Sequence, residues 1–194
     1  MDDEKKIILA IAVYAAIVIM VFHSLEVSAQ LNTSVTAVAA NEEGADGHLA
    51  PEEVTDFLLK IADTRMMDAQ EGLLAMGKGT NAQIREYGQM LIQDNCLLLE
   101  KIKKLASQRN IILPSTMSNR KIDIHQNLSK EKGQDFDERF IKTIIIDRER
   151  DIKLFKKAAS YPDPEVSAFA QRYLPLMQSH LEKIKRVKLE LNDE

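Results

Sequence analysis

The chain has 194 residues, a formal charge of −4, 5% aromatic residues and a single cysteine. That length holds one ordinary domain with a leader or tail, the mild acidic balance with few aromatics argues against a nucleic-acid partner, and one cysteine excludes an intramolecular disulfide. With 7 Gly, 5 Pro, no Trp and many Leu, Ile, Lys, Glu and Gln, the composition leans to an all-α class.

In chain order, the first feature is IILAIAVYAAIVIMVF, residues 7–22, apolar or small throughout and preceded by Lys5 and Lys6. The run is short for a spanning helix and suits the apolar region of a signal peptide. Val27-Ser28-Ala29-Gln30 has the small residues of a cleavage site after Ala29, whereas Asp2, Asp3 and Glu4 depart from a net-positive start and keep an uncleaved membrane anchor open. Residues 1–29 are thus expected to be a signal peptide or N-terminal anchor, and either one sends the remainder to the periplasm or cell envelope. Residues 30–49 carry Ser, Thr, Ala, Asn and Gly without periodicity and read as a flexible linker.

Residues 50–191 divide into four long periodic segments. Pro51 with Glu52 and Glu53 starts the first, and Gly77 and Gly79 end it. Thr80 with Gln83 forms a capping box for the second, which runs to about Asn110 and is closed by Pro114. A short helix around 119–128 follows, and Gly133 resets the chain for a third segment ending near Ser160. Asp163 caps the fourth ahead of Pro164. At 1.5 Å per residue each long segment spans roughly 40–45 Å. Equal lengths imply an up-down four-helix bundle of the ferritin-like kind, the short helix lying in the second connection.

The apolar rows at helical spacing carry polar interruptions. They are Asp68 on the row Val54, Leu58, Ile61, Arg65, Asp68, Gly72, Ala75; Asn95 between Leu91 and Leu98; Arg148 between Ile144 and Ile152; and His180 between Met177 and Ile184. All four fall mid-helix, so Asp68, Asn95, Arg148 and His180 are expected to meet in one buried layer, Asp68 pairing with Arg148 and Asn95 with His180. In the charged run Asp147 to Asp151, the residues Asp147, Glu149 and Arg150 are expected to swing outward. Cys96, beside Leu97 and Leu98, is expected to be a buried thiol.

A competing reading of the layer is a metal site. A di-iron bundle needs two Glu-x-x-His pairs, which this sequence lacks, and a guanidinium neither ligates nor tolerates a neighbouring cation. Asp68 with His180, helped by Asp94, Asp147 or Glu71, is the set left to hold a single divalent ion. No nucleophile elbow or glycine-rich phosphate loop accompanies them, so no catalytic residue is assigned and an enzyme is not expected.

The motifs FLLKIADTRMMDAQEGLLA, IREYGQMLIQDN, ILP, GQDFDERFI, DPEVSAFAQRYLP and QSHL, spread in order between Phe57 and Lys188, resemble a bacterial exported family of unknown function with a ferritin-like bundle, often labelled an outer-membrane protein. The resemblance implies a family pattern of a Glu at the position of Asp68, Asp-His pairs at Asp94-Asn95 and Asp147-Arg148, and a final His at His180. Two of its histidines are here Asn95 and Arg148. The expectation is an exported, non-catalytic bundle with a polar layer in place of a complete metal site and no cofactor, membrane association resting on residues 7–22; the alternative is a metal-binding or redox-protective protein using Asp68 and His180.

Overall fold

A computed structural model describes residues 51–192; the expected leader and linker, residues 1–49, lie outside the described residues. Within them are five helices and no strand: α1 (Glu52–Lys78), α2 (Ala82–Ser107), α3 (Asn119–Lys130), α4 (Gly133–Ala158) and α5 (Pro164–Asn192). None of these helices is long and apolar enough to cross a membrane.

Local chemistry sets most of the boundaries. Pro51 precedes α1, whose first turn carries Glu52 and Glu53 against the positive end of the helix dipole. Asp163 caps α5 as expected, its Oδ1 accepting the N–H of Glu165 at 3.1 Å and of Val166 at 3.0 Å. Arg109, just past α2, forks onto the same carboxylate with two contacts of 2.7 Å, which holds that carboxyl below its ordinary pKa and ties the end of α2 to the start of α5. At α2 the cap moves by one residue. Asn81, not Thr80, accepts the Gln83 N–H at 2.7 Å, because Thr80 gives its N–H, at 3.1 Å, and its hydroxyl to Asp137 of α4.

Two apolar clusters fix the directions of the helices. One joins Val54, Phe57, Leu58 and Ile61 at the start of α1 to Leu98, Ile102 and Ala106 at the end of α2, Phe155 and Ala158 at the end of α4, and Val166 and Ala170 at the start of α5. The other joins Ala75, Ile84, Tyr87, Leu91, Phe136, Phe140, Ile144, Ile184 and Val187 from the opposite ends of the same helices. In chain order the directions are therefore up, down, down, up, rather than strictly alternating. Since α4 repeats the direction of α2, residues 108–132 must return along the bundle, and α3 is that return. Asp63 of α1 holds its start through the Ser118 N–H at 2.7 Å, and Leu128 near its end joins the second cluster. Adjacent helices remain antiparallel, so mid-helix residues share a level, and one long crossover is the ferritin-like connectivity.

The α1–α2 hairpin is closed by two glycines. A Cβ on Gly88 would lie 2.6 Å from the Gly72 carbonyl oxygen, and one on Gly72 would lie 2.7 Å from that of Gly88. Backbone atoms cannot yield as a flexible side chain does, and overpacking of this kind costs about 1–3 kcal/mol, against a helix-propensity gain of about 1 kcal/mol from Gly to Ala. The net loss of about 1 kcal/mol means Gly88→Ala is expected to lower the thermal midpoint by roughly 2–4 °C, at 2–4 °C per kcal/mol, whereas Gly77→Ala, where a Cβ meets nothing within 4 Å, should not lower it. Scanning calorimetry of the two variants checks this.

Candidate functional site

Between the apolar clusters lies a level at which all four bundle helices turn polar side chains inward. Arg65, Asp68 and Glu71 come from α1, Asn95 from α2, Asp147, Arg148 and Asp151 from α4 and His180 from α5, none of them more than 4% exposed. Spacings of three residues along α1 and along α4 stack their charges on one helix face.

At the centre is a ring of alternating charge. Arg148 donates from Nη2 to Asp68 Oδ2 and from Nη1 to Asp151 Oδ2, the latter at 2.6 Å. Arg65 Nη2 donates to Asp151 Oδ2 and lies 3.1 Å from Asp68 Oδ2. Each carboxylate thus sits between two guanidiniums, and the four charges cancel. The sulfur of Met177 on α5 caps the ring, 3.1 Å from Arg65 Nη1 and 3.4 Å from Arg148 Nη1. An isolated buried charge costs several kcal/mol, which only close, hydrogen-bonded pairing offsets. Burial would raise the Asp68 pKa, but Arg148 and then Arg65 outweigh it and hold it below the ordinary carboxylate value. Burial likewise opposes the Arg148 charge, and Asp68 with Asp151 overcomes it, so the guanidinium stays protonated.

The Asp68–Arg148 contact is the one the sequence suggests; the other half of the layer pairs differently. Asn95 donates its side-chain amide to its own helix, at the Leu91 carbonyl, 2.7 Å away. His180 instead meets Asp94, Nε2 to Oδ2 at 2.9 Å. Burial and then Arg148 pull the His180 pKa down to about 4. At neutral pH its ring is therefore uncharged and donates Nε2–H to Asp94, while Nδ1 has no hydrogen-bond partner among the described residues. The Tyr87 hydroxyl donates to the His180 backbone carbonyl at 3.1 Å, and the two rings meet edge to face at 6.3 Å.

Four further residues depart from the sequence reading. Asp147 does not swing out to water but is buried, with Lys121 of α3 at 3.2 Å; a fifth helix covers the side of α4 that a four-helix seam leaves open. Cys96 is exposed rather than buried, and partial desolvation followed by Glu100 raises its thiol pKa, away from nucleophilic thiolate. Arg65 and Asp151, half of the central ring, were not singled out by sequence. Their signal was available: Arg65/Asp68 and Arg148/Asp151 are opposite charges three apart on otherwise apolar rows.

Glu71 stands apart from the ring. Both its carboxyl oxygens lack a hydrogen-bond partner among the described residues, and burial, then Asp68 and Asp147, push its pKa well above the ordinary value. The two-metal centre of ferritin-like bundles does not fit this level. Such a centre needs Glu or Glu-x-x-His from each of four helices, and here the inward positions of α1 and α4 hold Arg65 and Arg148, already bound to the carboxylates a metal would use. In the single-ion set Asp68 and His180, Asp68 Oδ2 is held by guanidinium and His180 Nε2 is turned to Asp94, while Asp68 Oδ1 and His180 Nδ1 have no hydrogen-bond partner among the described residues.

Residues 38–187 match the family model described as "Domain of unknown function (DUF4142)". The chain belongs to that family. All six sequence motifs quoted above fall inside the DUF4142 span. The crystal structure of a DUF305 fragment from Deinococcus radiodurans is similar in fold, with a TM-score of 0.63 at 9% identity, covering 71% of this chain and 96% of that one. At that identity the likeness shows a shared helical bundle and nothing of activity. No curated protein matches the sequence.

Proposed function

We propose that this DUF4142 chain is an exported, non-catalytic helical bundle of the bacterial cell envelope, acting through its outer surfaces or a membrane tether, with a self-neutralised charge layer standing where a complete ferritin-like metal centre would lie. The observation that carries the proposal is the pair of fully buried guanidiniums, Arg65 and Arg148. They take the inward mid-helix positions with fixed positive charge and engage Asp68 and Asp151. A two-metal oxidase needs those positions for donors. The apolar run at residues 7–22 and the small residues before Gln30 support export.

Two measurements on the full chain test this reading. Cell fractionation with N-terminal sequencing should find it in the envelope, starting at Gln30 if the leader is cleaved or at Met1 if it anchors. Iron(II) added in air should oxidise no faster with the protein than in buffer. Recovery from the cytosol would overturn the location, and accelerated oxidation the non-catalytic role.

A further inference from the structure

Beside the charge ring, Asp68 and Glu71 of α1 and Asp147 of α4 each bring an oxygen to within 4.8 Å of the others. Asp68 Oδ1 and both Glu71 oxygens have no hydrogen-bond partner among the described residues, and both side chains are fully buried. A buried polar group without a partner is rare in folded proteins and marks a strain, a catalytic role, an ordered water or an ion. Here the idle atoms are all carboxyl oxygens, on residues that with Asp147 bring one oxygen each within 4.8 Å of the others. Oxygen-only donors suit the hard cations magnesium, manganese and calcium, and lack the nitrogen or sulfur that zinc and copper favour.

The third carboxylate already has two cations near it, Lys121 and, at 3.4 Å from Oδ1, the exposed Arg150. Lys121 reaches in from α3 to Asp147 Oδ2 at 3.2 Å, and its side chain is 14% exposed, so the amine can withdraw to water. Asp147 also lines a surface pocket of about 250 Å³ between α3 and α4, beside Asn127 and Thr143, whose wall also carries Arg120, Arg139 and Arg150, so an ion entering there passes between their side chains. With Lys121 withdrawn and Glu71 ionised, the buried carboxylates Asp68, Glu71, Asp147 and Asp151 exceed the buried guanidiniums of Arg65 and Arg148 by two charges; exposed Arg150, 3.4 Å from Asp147 Oδ1, offsets part of this excess and a divalent cation covers the remainder.

We propose that Asp68, Glu71 and Asp147 form a site for one hard divalent cation, for which the Lys121 ammonium is the built-in competitor. The site keeps Asp68 of the expected single-ion set, with Glu71 and Asp147 as full ligands and without His180, and it does not depend on export or on the absence of catalysis. A non-catalytic envelope protein would hold such an ion structurally.

The test uses the full chain, freed of metal with a chelator and titrated with Mn²⁺ while the free-ion electron paramagnetic resonance signal is followed. The wild type should take up one ion per chain and melt at a higher temperature with it. Glu71→Gln should weaken binding by about tenfold or more, since even outer-shell changes cost 10–100-fold; Lys121→Met should tighten it several-fold, and His180→Gln should leave it unchanged. Absence of uptake at about 1 mM Mn²⁺, the weak end of oxygen-ligand affinities, in both the wild type and Lys121→Met would overturn the proposal. Uptake of equal strength in all four proteins would do the same, since it would place the ion elsewhere.

Discussion

Arg148→Met is expected to cost about 3–5 kcal/mol of folding stability, the range found when one partner of a buried ion pair is removed. Methionine keeps an unbranched side chain of comparable reach and adds no charge, so the loss reports the stranded acids and not a large cavity. With Arg148 gone, Asp68 and Asp151 share only Arg65, at contacts to one Oδ2 atom each, and the ring carries an uncompensated buried charge. At 2–4 °C per kcal/mol the thermal midpoint should fall by roughly 10 °C or more. Arg172→Met is the control: Arg172 is exposed and its recorded contact is over the Tyr173 ring at 5.8 Å, so its effect should stay within about 0.5 kcal/mol, as for ordinary surface changes. Equilibrium urea unfolding of both variants checks the pair.

The second large effect is acid sensitivity traceable to His180. The ring is uncharged in the folded state, its pKa held at about 4 by burial and by Arg148 against the opposing pull of Asp94, whereas an unfolded histidine titrates near 6.5. Above about pH 6.5 both states are neutral and no penalty exists. As pH falls from about 6.5 towards 4 the unfolded chain binds a proton that the folded chain does not, so stability is lost across that window. At 1.36 kcal/mol per pH unit, the distance from 6.5 to about 4 corresponds to about 3 kcal/mol. His180→Gln keeps an N–H for Asp94 without a titrating ring, so it should escape this loss over the same window, while Glu71, whose raised pKa adds stability as pH falls, acts alike in both proteins. Urea unfolding at a series of pH values would show this as diverging curves, and parallel curves would remove His180 as the cause. Asp68 acts in a different window: its lowered pKa places its loss of stabilisation below the ordinary carboxylate range.

What the sequence revealed follows from where the controlling interactions lie. The starts of α1 and α5 depend on residues adjacent in the chain, Pro51 with Glu52 and Asp163 with Pro164, and were legible for that reason. The cap of α2 was not settled locally, because Thr80 and Asn81 are both competent and a distant residue, Asp137, claimed Thr80. Likewise, periodicity placed Asp68, Arg148 and His180 on buried rows but carried no information on partners across helices. Asn95 therefore took a carbonyl on its own helix, and Asp94, one position off the row, took His180. The burial of Asp147 follows from α3 packing on α4, which no four-row pattern contains. The direction of α4 was equally open, because a connection of some two dozen residues can either turn back at once or cross the bundle.

The central claim is that the mid-bundle level is a self-neutralising ion ring, and the double-mutant cycle between Arg148 and Asp68 tests it most directly. Thermal and urea unfolding would be compared for wild type, Arg148→Met, Asp68→Leu and the double variant. In the double variant Arg65 and Asp151 remain as a matched pair, so its loss should fall short of the sum of the two single losses by a coupling energy of about 1–3 kcal/mol. Losses that simply add would contradict the ring, since they would mean that Asp68 and Arg148 are held independently.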